Sequence, residues 1–235
     1  MNAFDRVISL IGKDKFNIIK NSSVALFGVG GVGGFVAEAL VRSGIGKLTV
    51  FDADVVSKSN INRQIIADEN SVGRDKVAVI KERLLAINPQ AEIITHKVFY
   101  LPSNSNEYSF SSYDYVIDAV DTVSAKIEII SQAKNANVPV ISCMGTAGKL
   151  DQSAIKVCDV SKTSGCPLAR VMRRELRARG ITGVKVVYST EGVSACATSV
   201  AEGQKTPPSM IFVPAVAGLT IAKEVIFDLI ESKEK

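Results

Sequence analysis

The stretch Val24-Ala25-Leu26-Phe27-Gly28-Val29-Gly30-Gly31-Val32-Gly33-Gly34-Phe35 decides the fold. Four apolar residues suit a short strand, the glycines follow, and residues 35–42 carry the apolar period of a helix. A Gly-x-Gly-x-x-Gly run between a strand and a helix lets the backbone approach a phosphate. The helix start adds unpaired N–H groups and the positive end of its dipole. Residues 47–51 read as a second strand ending at Asp52, 19 residues after Gly33 and placed to accept from a ribose hydroxyl. By itself this pattern says nucleotide, and leaves NAD, FAD and other nucleotides open.

Outward from that stretch, strands and helices alternate. Residues 74–87 read as a helix closed by Asn88-Pro89, 91–95 as a third strand, 113–118 as a fourth, 123–135 as a helix and 138–142 as a fifth strand. Such alternation predicts an α/β fold, a Rossmann-like, doubly wound, mostly parallel sheet with helices on both faces. After Gly148 the texture changes, and residues 153–157 and 184–188 read as strands bracketing a basic helix. These form a C-terminal elaboration of the same domain. Residues 1–235 are thus expected to be one unit, with a nucleotide-binding core at 1–148 and a substrate-binding remainder at 149–235 that ends in a helix. The Ser- and Asn-rich segment 102–112 reads as a mobile loop.

Composition narrows the class. The 235 residues are 46% hydrophobic and 22% charged, enough apolar material for a proper core and unlike a disordered chain. Four cysteines are too few for a disulfide scaffold. Residues 1–20 alternate charged and apolar side chains with no central apolar block, so no secretory leader is expected and a reduced, cytoplasmic setting is. The 17 residues 206–222 carry no charge, yet they include Pro207, Pro208 and Pro214. That run falls short of the ~20 apolar residues of a membrane span, so a buried helix starting near Pro214 is expected and membrane association is not. The net charge of +4 is uneven. Between Lys162 and Lys185 lie seven basic residues and one acid, Glu175, a segment of +6 that leaves −2 for the rest of the chain.

The loop after Asp52 resolves which nucleotide. Asp52-Ala53-Asp54-Val55-Val56-Ser57-Lys58-Ser59-Asn60-Ile61-Asn62-Arg63-Gln64 is followed by Gly73-Arg74-Asp75-Lys76, where a dinucleotide enzyme would run directly into another helix. Arg63 and Lys76 are cations suited to a triphosphate. Val116-Ile117-Asp118-Ala119-Val120-Asp121-Thr122 sets Asp121 at the carboxyl end of the fourth strand, where open parallel sheets bind ligands. A carboxylate facing phosphates is a natural Mg²⁺ ligand. Together these residues resemble the ThiF/MoeB/HesA family of E1-like adenylating enzymes over roughly residues 4–148. The resemblance implies that Gly28, Gly30, Gly31, Gly33 and Asp52 hold ATP, and that Ser59, Asn60, Arg63 and Lys76 contact its triphosphate. Asp54 and Gln64 join the nucleotide-binding set. Asp121 corresponds to the Mg²⁺-associated acid, followed by Thr122 where the family usually has Asn or Ser. Asp5-Arg6, with Gly12 after it, matches a family arginine that reaches into the partner subunit's site, which implies a homodimer. Arg63, Lys76, Asp121 and Arg6 are the expected catalytic residues.

Cysteine spacing and the second half choose a branch. Sulfur-carrier activators of this family commonly hold a structural zinc in two Cys-x-x-Cys pairs. Cys143, Cys158, Cys166 and Cys196 contain no such pair, so no structural zinc is expected. Cys143 reads as a small buried hydrophobe, whereas Cys166 precedes Pro167 at a helix start, where a thiolate is favoured. His96, the sole histidine, has no partner for a triad. Gly145-Thr146-Ala147-Gly148-Lys149-Leu150-Asp151, then residues 155–159, Lys162-Thr163, Pro167-Leu168 and 187–191, resemble the tRNA threonylcarbamoyladenosine dehydratase branch. That implies ATP-dependent cyclisation of the threonylcarbamoyl group on adenosine 37 of tRNA through a carboxyl adenylate. The alternative is adenylation of the C-terminus of a sulfur-carrier or ubiquitin-like protein. A helix over 167–179 would set Arg170, Arg173, Arg174 and Arg177 on one face, with Lys162 just before it, as a footprint for a phosphate backbone. tRNA is the expected partner and DNA is not, with a sulfur-transfer protein left open as a further partner.

Overall fold

The computed structural model describes residues 3–192 and 208–233, so Cys196 and Pro207 lie outside the described residues. Seven strands form one sheet, β1 (Ser23–Phe27), β2 (Lys47–Phe51), β3 (Glu92–His96), β4 (Tyr115–Asp118), β5 (Val140–Cys143), β6 (Ile155–Asp159) and β7 (Lys185–Ser189). Their spatial order is β3-β2-β1-β4-β5-β7-β6. Every neighbouring pair is parallel except β6 and β7 at the edge. The chain runs from β1 outward through β2 to β3, then crosses back to place β4 on the other side of β1, and a crevice opens at the carboxyl ends of these strands.

Helices α3 (Gly33–Arg42), α4 (Lys76–Ile87) and α7 (Phe212–Lys233) cover one face, and α5 (Val123–Asn135) and α6 (Pro167–Ala178) cover the other. Alternate residues of β1 divide between the two cores. Val24 and Leu26 pack with α3, α4 and α7, whereas Ala25 and Phe27 pack with α5 and α6. Burial on both faces is why these strands read as continuous apolar runs.

The expected fold class is what the chain adopts, with several local differences. Two N-terminal helices, α1 (Asp5–Ile11) and α2 (Lys13–Lys20), were not anticipated from the mixed charge of residues 1–20. They are anchored by buried Phe16 and Ile19, with the Phe4 ring 5.5 Å from that of Phe16. Helix α4 starts at Lys76, two residues later than expected, because Val56 N–H donates to the Arg74 carbonyl and Lys76 N–H to that of Asp54. Those bonds commit residues 74–75 to a short antiparallel bridge with Val55. Strand β6 starts at Ile155, since Asp151 caps the turn before it. Segment 102–112 is pinned and not a loose loop: Phe110 and Ser105 are buried, and Leu101 N–H donates to Asn104 Oδ1 at 2.8 Å. Helix α7 includes Pro214 in its first turn, as expected, and no helix among the described residues is long and apolar enough to cross a membrane.

Candidate nucleotide site and basic helix

A cleft of about 460 Å³ opens at the carboxyl ends of β1, β2, β4 and β5, within the range of small-molecule sites. Its floor is the glycine turn. Gly28 has φ +91°, and a Cβ there would sit 2.7 Å from the Ala119 carbonyl oxygen. A Cβ on Gly33 would lie 1.9 Å from the carbonyl oxygen of Gly28, so Gly33 lets the turn close and does not itself line the cleft. Gly30 and Gly31 border the opening with no atom closer than 3.4 Å to an added Cβ. This exposed backbone at a helix start suits an anion.

Charged side chains ring the turn. Asp52 accepts from Val29 N–H at 2.6 Å and from Asp54 N–H at 2.8 Å, so its carboxylate braces the glycine turn as well as bordering the cleft. Burial raises the Asp52 pKa above the usual carboxylate range, against the opposing pull of the Lys76 charge and those N–H bonds. Lys76 is buried, with its Nζ 2.7 Å from Asp54 Oδ2, so the sequence-distant Asp54 holds that ammonium at the cleft wall. Arg63 Nη1 donates to the Ser59 carbonyl at 2.8 Å and to Asn62 Oδ1 at 2.9 Å. Asp121 is exposed at the end of β4, and Thr122 Oγ1 lies 3.3 Å from its Oδ1.

Of the expected nucleotide residues, Gly28, Gly30, Gly31, Asp52, Asp54, Asn60, Arg63, Gln64, Lys76, Asp121 and Thr122 line this cleft. Ser59 does not; it acts through its backbone on Arg63. Arg6 lies exposed on α1 and does not line the cleft of its own chain. Further walls come from Val98, Phe99 and Tyr100 after β3 and from Met144, none of them expected from the sequence, and from Gly145, Thr146, Ala147 and Leu168, expected as branch motifs but not as cleft residues. Among the described residues, the Tyr100 hydroxyl and Gln64 Oε1 are buried without a hydrogen-bond partner. Both residues line the cleft, and orphaned buried polar atoms there are what a polar ligand would satisfy. Among the described residues no three His, Cys, Asp or Glu side chains gather as a metal-holding group. The lone carboxylate of Asp121 still fits Mg²⁺, which is held through one or two carboxylates plus substrate phosphates.

Cys143 is buried at the cleft edge, and burial pushes its thiol up to about 12, as befits a small hydrophobe. Cys166 is also buried, at the N-cap of α6, with no side-chain cap bond. His96 stacks on Phe51 with ring centroids 4.7 Å apart, a packing role. The basic face of α6 is narrower than its spacing implies. Arg173 turns back to the carbonyl and hydroxyl of Thr163, and Arg174 and Arg179 both lean on Glu175 at 2.9 Å. Lys162, Arg170 and Arg177 are exposed, and Arg174 and Arg179 stay exposed beside Glu175, so Arg173 is the arginine withdrawn from the surface. Leu168, shortly before Arg170 and Arg173, lines the cleft, so α6 leads from the pocket to the basic surface.

The profile of the ThiF family matches residues 4–235. The chain belongs to the ThiF family. Within it, the chain is 39% identical to the tRNA threonylcarbamoyladenosine dehydratase of Bacillus subtilis, an alignment spanning 100% of this chain and 97% of that protein. The Escherichia coli tRNA N6-threonylcarbamoyladenosine dehydratase TcdA, solved in complex with ATP, superposes with a TM-score of 0.90 at 31% identity, covering 99% of this chain and 95% of that one. The same E. coli enzyme solved with AMP gives a TM-score of 0.91. By contrast, the adenylyltransferase and sulfurtransferase MOCS3 of Aedes aegypti is 34% identical over only 62% of this chain and 32% of its own length. Similarity to the dehydratases thus runs the length of the chain, β6, α6 and β7 included, whereas the MOCS3 match covers less than two thirds of it.

Proposed function

We propose that this protein is an ATP-dependent tRNA threonylcarbamoyladenosine dehydratase. The observation that carries this reading is the end-to-end similarity to the B. subtilis dehydratase, together with a cleft whose glycine turn, cations and acid suit a nucleoside triphosphate. The carboxylate of the threonylcarbamoyl group attacks the α-phosphate of ATP; the α–β phosphoanhydride breaks, and pyrophosphate leaves. The carbamoyl nitrogen then attacks the activated carbonyl, the acyl–O bond to AMP breaks, and the nitrogen loses its proton. One water is removed overall, and its oxygen departs on AMP.

The chain's part is electrostatic and geometric. Backbone N–H groups around Gly30 and Gly31 cradle phosphate oxygens, while Arg63 and Lys76 stabilise charge that develops as pyrophosphate leaves. Asp121 would hold a Mg²⁺ ion, which when bound would supply further charge neutralisation at the triphosphate. Arg6 acts from the partner subunit of a homodimer, consistent with its exposure away from the cleft of its own chain. No enzyme nucleophile is required, because the reacting groups belong to one substrate. Residues 1–148 hold the nucleotide, and residues 149–235 supply the RNA-facing side, through Lys162, Arg170, Arg177 and, more weakly, Arg174. The free thiols of Cys143, Cys158 and Cys166 suit a reduced, cytoplasmic setting.

The test is to incubate the protein with ATP, Mg²⁺ and threonylcarbamoylated tRNA and to weigh the modified nucleoside. Loss of one water, about 18 mass units, is expected. An unchanged nucleoside, with pyrophosphate exchange that instead depends on a small Gly-Gly-tailed protein, would replace this reading with sulfur-carrier activation.

A further inference from the structure

We infer that Lys126 and Asp118 are positioning residues for Asp121, a buried clamp that grips the Val120 backbone and so aims the carboxylate next to it. Both side chains are fully buried, 0% exposed, and lie 3.0 Å apart. Each also binds the same residue from opposite sides: Val120 N–H donates to Asp118 Oδ1 at 3.2 Å, and Lys126 Nζ donates to the Val120 carbonyl at 2.9 Å. The peptide groups flanking Val120 are thereby fixed. Among the described residues, the side chain that bonds the exposed Asp121 carboxylate is Thr122, whose Oγ1 lies at a long 3.3 Å, so the aim of Asp121 derives chiefly from its backbone.

The cluster reaches further than one loop. Ser142 Oγ donates to Asp118 Oδ2 at 2.5 Å, and Ser142 adjoins Cys143, which borders the far end of the cleft. Asp118 closes β4, Lys126 stands in the first turn of α5, and Ser142 belongs to β5, so three elements meet at one carboxylate. A buried ion pair is a poor source of net stability, since desolvating both charges offsets most of their attraction. Its value here is geometric: it satisfies both backbone groups of the residue before Asp121 and leaves that segment one arrangement.

The clamp rests on the reading of Asp121 as the residue facing nucleotide phosphates, and the experiment separates the two. Asp118→Asn with Lys126→Met removes both charges together, keeps an acceptor for Val120 N–H and deletes the donor to its carbonyl. After thermal melting verifies folding, AMP formation is measured in this variant, in Asp121→Asn and in the combination. With Asp121 intact, the pair is expected to lower kcat about 30-fold, with KM for ATP within about threefold. In the Asp121→Asn background the same pair should cost less than about threefold. Ser142→Ala, which keeps the ion pair and loosens Asp118, should follow the same cycle with a loss of about threefold, so the clamp stays testable if the double variant does not fold. A folded variant with wild-type kcat, or equal losses in both backgrounds, overturns the clamp. If the wild-type protein makes no AMP, the adenylation reading fails, and the clamp is judged by the same cycle on Mg²⁺-dependent ATP affinity.

Discussion

At the nucleotide end of the cleft the chain offers backbone, whereas along α6 it offers long side chains. Gly30 and Gly31 border the opening, and the turn is closed by contacts that no Cβ would permit. On α6 the cations are arginines whose identity leaves their partners undetermined: two pair with Glu175 while staying exposed, one turns to Thr163, and Arg170 and Arg177 are exposed. The difference teaches that glycine spacing specifies a ligand site through sterics, while a charge run specifies a binding surface only after intramolecular partners have taken their share.

That contrast can be broken at either end. The largest effect is expected from Arg63→Ala or Asp121→Ala, each lowering AMP formation by roughly 10²–10³-fold while tRNA affinity in a filter-binding assay stays within about twofold. Equal losses of tRNA affinity would erase the division of labour. Gly33→Ala should destabilise by about 2–4 kcal/mol in urea titration, because its Cβ would meet the Gly28 carbonyl at 1.9 Å. A variant that melts like wild type would show that the turn can open.

On the α6 side, Lys162, Arg170 and Arg177 replaced together by Ala should weaken tRNA binding about tenfold and lower the slope of log affinity against log salt by about 2–3, with ATP binding intact. Arg173→Ala should do the reverse, costing about 1 kcal/mol in thermal stability through its Thr163 bonds and leaving the salt slope unchanged. Were Arg173 to move the salt slope as much as Arg170 does, the simple four-arginine face would be restored. The smallest effect is expected from Cys166→Ser, with AMP formation kept within about threefold; loss of activity in that variant would argue for a nucleophilic thiol.

Much of this was legible in the sequence, for physical reasons that also mark the limits. The strand–glycine–helix stretch and the alternation after it pointed to the sheet, since backbone freedom and apolar period are local properties. Eleven of the expected nucleotide residues line one cleft. What escaped depends on non-local pairing. Asp54 belongs to the expected nucleotide set, but its pairing with Lys76 depends on the bridge between residues 55 and 75, which no local pattern announces. Tyr100 reaches the wall because aromatic residues of segment 98–113 pack over Phe27 and Phe51, a cluster without a period of its own. Lys126 carried a signal that went unused, a lone cation among Ala125, Ile127, Ile129 and Ile130 on a helix that had to be buried.

The central claim is that a carboxylate of the RNA substrate attacks the α-phosphate of ATP in this cleft. The most direct measurement is to label that carboxylate with heavy oxygen and weigh the nucleotide products of a single turnover. One labelled oxygen in AMP, with none in pyrophosphate or inorganic phosphate, is the predicted result. Label in inorganic phosphate, or cyclised product with unlabelled AMP, would contradict it.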